Sequence, residues 1–454
     1  MNLDISKVEA EITKFVSQDV EAIARKIKFV QRKSTMDGQG FLKTTVLGFI
    51  EDPEASLNSL IQVSADLGIE ITEQGLDQRI NKHALAFMKT MFSRAIERFK
   101  AQVPLPVDIL QQFNGVYLTD SSAIALPKSM AEEYPGCGGD GPESCLKVQL
   151  TFELLYGNLA QVALRAGREP DQVYQDYIQC LATRSLSITD LGYFTLNAFK
   201  AVMNERQAYV LSRFNTLTGL LTPHGEELDL LKLAQCCPNE AFEIDVLIGK
   251  RPDHRLPCRL LVFPVPQQVA DQRRRKAKEV AQRKGRVASK RHLALMSWTF
   301  LITNASAEML PIEACVTLYR IRWQIELVFK LWKSYCGINR VVGLRRERVL
   351  VDLYAKMIGI VLTHFLLAPL RMLDGALANR EISPVKVRKI LRHFIPDLVR
   401  SLDHRIKFQN TLSELLRRIV RSGFKQKRTK EPNAFHRLAL ISVACGLESQ
   451  PEIA

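Results

Sequence analysis

The sequence predicts an α/β protein, a mixed-sheet core set between helical ends, and three patterns along the chain predict it. Apolar residues recur at helical spacing through roughly the first hundred positions. From about residue 107 short apolar runs bounded by Gly, Pro and Asp clusters take over, as strands require. Long helical patterns return after residue 303.

Taken in order, the N-terminal segments VEAEITKFVSQDVEAIARKI and HALAFMKTMFSRAIERF each carry an apolar stripe. Between them, Leu60, Ile61 and Val63 precede a turn at Gly68, and Thr72 can cap a second helix bearing Leu76 and Arg79. This grammar suits a helix-turn-helix and equally suits two ordinary packed helices. Residues 1–106 are expected to be a helical DNA-binding region.

Strands are expected at GVYLTD, LKVQLTFELL, NLAQVALRAG, SLSITD and AYVLSRF, with helices at PDQVYQDYIQCLAT and TLNAFKAVMNERQ. The resulting order, β-β-β-α-β-α-β, makes residues 107–218 the first part of the core. Residues 219–303 look like a β-rich basic insertion, with strands FEIDVLIG, CRLLVFPVP and MSWTFLIT. Residues 271–292 within it hold ten Lys or Arg against two acids. Residues 304–370 form the second part of the core, and 371–454 a helical basic region with fifteen Lys or Arg against four acids between 380 and 430.

Over the 454 residues, 63 Lys and Arg against 48 Asp and Glu leave a formal charge of +15, which favours a polyanionic partner through counterion release. Nucleic acid fits this best, with an anionic lipid surface or a merely basic protein as the competing explanations. No segment reaches the roughly 18 apolar residues that span a bilayer, and the opening MNLDISKVEAEITKF lacks a signal-peptide plan. A cytoplasmic, nucleoid-associated protein without a membrane partner is therefore expected. Nine cysteines suit reduced thiols. Neither Cys137 with Cys145 nor Cys236 with Cys237 completes a four-ligand zinc pattern.

The chemistry concentrates in LYRIRWQIELVFKLWKSYCG, residues 318–337, which has good helix formers and no Gly or Pro before Gly337. At 100° per residue, Tyr319, Arg322, Glu326 and Lys333 share an arc of about 60°, while apolar side chains fill most of the remaining surface of a largely buried helix. An internal ladder of Arg322, Glu326 and Lys333 would explain the stripe structurally. Two strand ends support a functional explanation. Asp120 closes GVYLT and Asp190 closes SLSIT, each where an apolar strand meets a loop. Sites assemble at such carboxyl ends. If the strands are neighbours, two carboxylates converge, and a helix-borne Glu completes an oxygen-only cage that selects Mg²⁺ or Mn²⁺. Two such ions would clamp an in-line displacement at phosphorus. Taken singly, each Asp could simply cap a turn. Asp108 is a weaker competitor, since no apolar strand precedes it.

The sequence resembles the DDE transposases of bacterial insertion sequences, of the insertion-sequence-four type. Tyr319, Arg322, Glu326 and Lys333 match that family's Tyr-Arg-Glu-Lys signature at every gap, and Asp190-Leu191-Gly192-Tyr193-Phe194, with Arg213 downstream, resembles its second motif. After Asp120 the chain has Ser121 and Ser122, a departure from the usual small residue and Thr. The resemblance covers residues 110–370 and implies a ribonuclease-H-like core. It also implies that Asp120, Asp190 and Glu326 bind two catalytic metal ions, and that Tyr319, Arg322 and Lys333 contact DNA phosphates. Trp298, near the end of the insertion, corresponds to a Trp that stacks on a flipped base in similar cut-and-paste members; a core Trp on a strand is the competing reading.

The protein is accordingly expected to catalyse metal-dependent cleavage and strand transfer at the terminal inverted repeats of an insertion sequence, as a homodimer in a paired-end complex that also engages target DNA. A hairpin intermediate is consistent with the resemblance. Arg273, Arg274 and Arg275 would grip flanking DNA. A metal-dependent nuclease without strand transfer, and a non-catalytic helix-turn-helix regulator, are the alternatives.

Overall fold

The computed structural model describes residues 5–100, 104–105, 107–367, 382–402, 404–425 and 434–445. The boundary expected at 370 lies outside them. The strands are β1 (Val116–Ala125), β2 (Cys145–Glu153), β3 (Asn158–Ala166), β4 (Leu186–Thr189), β5 (Tyr209–Arg213), β6 (Leu220–Leu221), β7 (Phe242–Ile248), β8 (Leu256–Pro264) and β9 (Trp298–Thr303). The helices begin with α1 (Ile5–Ser17), α2 (Val20–Lys26), α3 (Gly38–Glu51), α4 (Leu57–Asp66), α5 (Glu73–Arg79), α6 (Lys82–Arg98), α7 (Asp108–Gln111), α8 (Leu196–Lys200) and α9 (Leu230–Cys236). They continue with α10 (Gln267–Arg283), α11 (Lys290–Leu295), α12 (Ile312–Ile321), α13 (Trp323–Ser334), α14 (Arg346–Leu367), α15 (Pro384–Ser401), α16 (Arg405–Ser422) and α17 (Ala434–Ala444). Two compact units result: Met1–Pro106, Ser121–Glu169 and Gln324–Glu431 in the first, and Val107–Asp120, Pro170–Trp323 and Pro432–Ala454 in the second.

In the first unit, β2 and β3 form an antiparallel hairpin, and helices make the core. The central element is α14, which packs on α3 and α6. By length and composition it could cross a membrane, contrary to the expectation that no segment would, yet 89% of its apolar window is buried inside the protein. It also carries Arg348, Asp352 and Lys356. Arg348 donates to Asp352 at 2.8 Å, and Lys356 donates to the carbonyls of Gly337 and Arg340 at 3.2 and 2.6 Å. Burial pushes the Asp352 carboxyl up and the Lys356 ammonium down, as a dry environment disfavours either charge. Thr72 caps α5 as the sequence predicts, accepting from Gly75, and Ser56 caps α4, accepting from Ser59. Only seven residues long, α5 turns Arg79 back to donate to Ser34.

In the second unit the strand order is β1-β4-β5-β9-β8-β7-β6. Strands β1, β4 and β5 run parallel, and each later neighbour is antiparallel. The strands of the expected insertion thus extend the core sheet past β5. The helix expected at residues 170–183 is instead two 3₁₀ turns, Asp171–Val173 and Asp176–Cys180. Tyr174 and Tyr177 are both buried, and their separation of three residues matches 3₁₀ periodicity, so tertiary packing overrides the helical pattern. The basic stretch, residues 271–292, covers most of α10, the turn after it and the start of α11.

Gly337, just past α13, adopts φ +59°, and a Cβ there would lie 2.5 Å from Pro53 Cβ. Gly337→Ala should lower stability by about 1–3 kcal/mol through left-handed backbone strain alone, seen as a reduced melting temperature. An unchanged melting temperature would show that the turn can relax.

Candidate active site

Strand pairing locates two of the three predicted acids. Val116 pairs with Leu186, Tyr117 with Ser187 and Leu118 with Ile188 across the parallel β1–β4 ladder. Continuing that register two residues brings Asp120 level with Asp190 on the face of the buried Leu118 and Ile188; β1 runs on to Ala125, so Asp120 lies within its strand rather than closing it as the sequence predicts. The pairing forms because both runs are apolar enough to lie inside a sheet covered on its faces. Both acids are half-buried.

Asp190 is held by the turn after it. Its side chain accepts the Gly192 amide at 2.7 Å, capping the 3₁₀ turn Leu191–Tyr193. Tyr193 is buried against Tyr177, and Phe194 lies edge-on to Phe199, so the two aromatic residues after the Gly anchor the turn. A Cβ on Gly192 would come within 2.9 Å of the Asp190 carboxylate and 3.6 Å of Asp171. Glycine therefore makes room for the acid. Sequence reading missed both this requirement and the neighbouring Asp171.

Helix α12 ends at Ile321, Arg322 forms a single-residue turn, and α13 begins at Trp323. This corrects the expectation of one unbroken helix from residue 318. In the second unit, Arg322 bonds Asp120 at 3.1 Å, with only 15% and 17% of the two side chains exposed. Its guanidinium lies 5.9 Å from the Tyr319 ring centre. Burial pushes the Tyr319 hydroxyl up, and the nearby charges of Arg322 and Arg213 pull it back. Asp190 acts on the same hydroxyl. Asp120, Asp190, Arg213, Tyr319 and Arg322 thus form one electrostatic neighbourhood.

In the first unit, Glu326 occupies the first turn of α13, where the helix dipole favours a negative charge. Lys333 lies in the last turn. Burial pushes the Lys333 ammonium down, and the adjacent Cys145 thiol partly opposes this. The helix buries Ile325, Phe329 and Trp332 but exposes Trp323 and Leu327 at 58% and 42%, so it is less buried than its composition suggests.

The basic candidates separate by environment. Arg273 donates to the Trp298 carbonyl at 3.1 Å and to Thr299 at 3.0 Å, tying α10 to β9. Arg274 donates to the Leu293 carbonyl, Asp271 and Ser297. Arg275 is exposed, and Arg213 is exposed at the end of β5. Trp298 is half-buried and pairs with Pro264.

Among the described residues no three His, Cys, Asp or Glu side chains gather closely enough to hold a metal ion. Even so, the donors suit a hard cation: two carboxylates carried by neighbouring strands present oxygen alone, and a guanidinium is seated against one of them as a stand-in positive charge.

The family described as the transposase DDE domain matches residues 111–362, over half of the chain. The chain belongs to the DDE transposases. Such an enzyme cuts DNA and transfers strands, and depends on divalent metal, which rules against a non-catalytic regulator. The mixed sheet with parallel β1, β4 and β5 is its ribonuclease-H-like core. Among similar proteins, this transposase is 27% identical over 459 residues to the "Transposase for insertion sequence element IS1151" of Clostridium perfringens, covering 94% of this chain and 95% of that one. It is 26% identical over 484 residues to the "Transposase for insertion sequence element IS231F" of Bacillus thuringiensis subsp. israelensis, covering 100% of both.

Arg275→Ala should weaken DNA binding and flatten its salt dependence by about one unit of slope while leaving the melting temperature unchanged. Arg273→Ala should lower the melting temperature, because it removes contacts between α10 and β9. Thermal unfolding and salt-dependent binding of both variants check this division; equal melting temperatures would remove it.

Proposed function

We propose that this transposase moves an insertion sequence by cut-and-paste, with Asp120, Asp190 and Glu326 as metal ligands. The observation that carries this reading is the parallel pairing of β1 with β4, which brings Asp120, within β1, and Asp190, just past the end of β4, onto neighbouring strands. The similarity to transposases of named insertion elements over nearly the whole chain supports the substrate: the terminal inverted repeats of such an element, together with target DNA. All-oxygen donors favour Mg²⁺, or Mn²⁺, and two ions suit in-line displacement at phosphorus. Bound there, the ions supply Lewis acidity and charge neutralisation.

The remaining roles fall to the chain itself. Arg213, Arg322 and Lys333 hold backbone phosphates, and Tyr319 directs its hydroxyl toward the same strand. Trp298 offers an aromatic face to an unpaired base, a contact worth about 1–3 kcal/mol. Arg275 and the exposed basic face of α10 neutralise flanking phosphates, as Arg273 and Arg274 do only secondarily to their structural bonds. A homodimer holding two ends together would let each cut be coordinated with the other.

Incubation with linear DNA carrying candidate element ends and Mg²⁺ tests the reading. Joined products are the expected outcome, while cleavage without joining would leave a metal-dependent nuclease. Asp120→Asn, Asp190→Asn and Glu326→Gln should each slow cleavage by about 10³-fold or more, equivalent to several kcal/mol of lost transition-state stabilisation, while still binding DNA. A variant retaining wild-type cleavage would remove that residue from the set.

A further inference from the structure

Two acids placed side by side on neighbouring strands repel each other unless a cation is close by. In this structure Asp120 has a cation in Arg322, bonded at 3.1 Å and largely withdrawn from solvent. At such low exposure the Coulomb attraction is less screened than in a surface pair, while desolvation of both groups offsets part of it. A carboxylate engaged in this way presents less charge to an incoming ion, and a guanidinium and a divalent cation on the same carboxylate also repel each other. The position of Arg322, in the single-residue turn between α12 and α13, sets it apart from Arg213, which stands exposed at the end of β5.

Resting on the assignment of Asp120 as a metal ligand, we propose that Arg322 is a resident counter-ion that holds Asp120 closed to divalent metal until a DNA phosphate draws the guanidinium away. Without DNA the guanidinium engages the Asp120 carboxylate, and with DNA a phosphate. Exchange between them makes metal binding and DNA binding mutually reinforcing. By linkage, the factor by which DNA tightens metal binding equals the factor by which metal tightens DNA binding. The arrangement keeps the DNA-free protein poor in metal, and therefore poor in cutting activity, until a substrate is engaged. Arg322 is in this sense a positioning residue for Asp120 in addition to its phosphate contact.

The test measures Mn²⁺ binding to the full-length protein by electron paramagnetic resonance of the free ion, without DNA, under conditions where no cleavage occurs. Arg322→Gln should bind its first Mn²⁺ about tenfold more tightly than wild type, within the usual range of coupling between sites. Loss of a merely structural bond would not tighten metal binding. Asp120→Asn combined with Arg322→Gln should abolish the gain. Adding a short DNA duplex should tighten Mn²⁺ binding to wild type by a similar factor and to Arg322→Gln hardly at all. Should Arg322→Gln fold poorly by thermal unfolding, Arg322→Lys with and without duplex supplies the same comparison, with a smaller DNA-induced gain than wild type. Equal or weaker Mn²⁺ binding by Arg322→Gln, a gain that survives Asp120→Asn, or no effect of duplex on wild type would overturn the proposal. Failure of the underlying ligand assignment is separate: it would appear as wild-type cleavage by Asp120→Asn alone.

Discussion

The parallel pairing of β1 with β4 is the constraint on which the candidate site depends. Once Leu118 lies beside Ile188, the two chains carry Asp120 and Asp190 on toward the same level and face two residues later. Two like charges held this close are unfavourable without compensation. The surrounding chain supplies it through Arg322 on Asp120, the Gly192 amide on Asp190, and the field of Arg213. Even the glycine fits this constraint, because a methyl group at 192 would press on the Asp190 carboxylate.

The first unit solves a different electrostatic problem. Its central helix α14 places Arg348, Asp352 and Lys356 among apolar residues, where an unpartnered charge would be costly. The bonds from Lys356 to Gly337 and Arg340 fasten the segment just after α13, and Arg388 donates to the Tyr335 carbonyl at its end. The helix carrying Glu326 and Lys333 is thereby fixed at its C-terminal end by buried cations, which also suit the negative end of its dipole.

Much of this was legible in the sequence. Strands β2 to β5 and the later strands β7, β8 and β9 fall where apolar runs predicted them, because strand length and turn chemistry are local properties, whereas β1 starts as predicted but runs past Asp120 to Ala125 through residues with no apolar run. The Asp190 turn was readable for the same reason. The segment at 170–183 was misread because the burial of Tyr174 and Tyr177 is decided by their neighbours, not by their own periodicity. Charge counting could not distinguish Arg273 and Arg274, spent on internal bonds, from the exposed Arg275, since all three contribute equally to net charge.

The sequence by itself determined the fold class, the basic character and the spacing of Tyr319, Arg322, Glu326 and Lys333, all of which depend only on residue type and interval along one chain. Tertiary structure alone decided that the strands carrying Asp120 and Asp190 pair in parallel and that Arg322 turns to Asp120. Those contacts join residues far apart in the chain, and no local pattern encodes which strand lies next to which or where a helix breaks. Side-chain partnership depends on that placement, because Coulomb attraction and hydrogen bonding act across a few ångströms of space and not along the backbone.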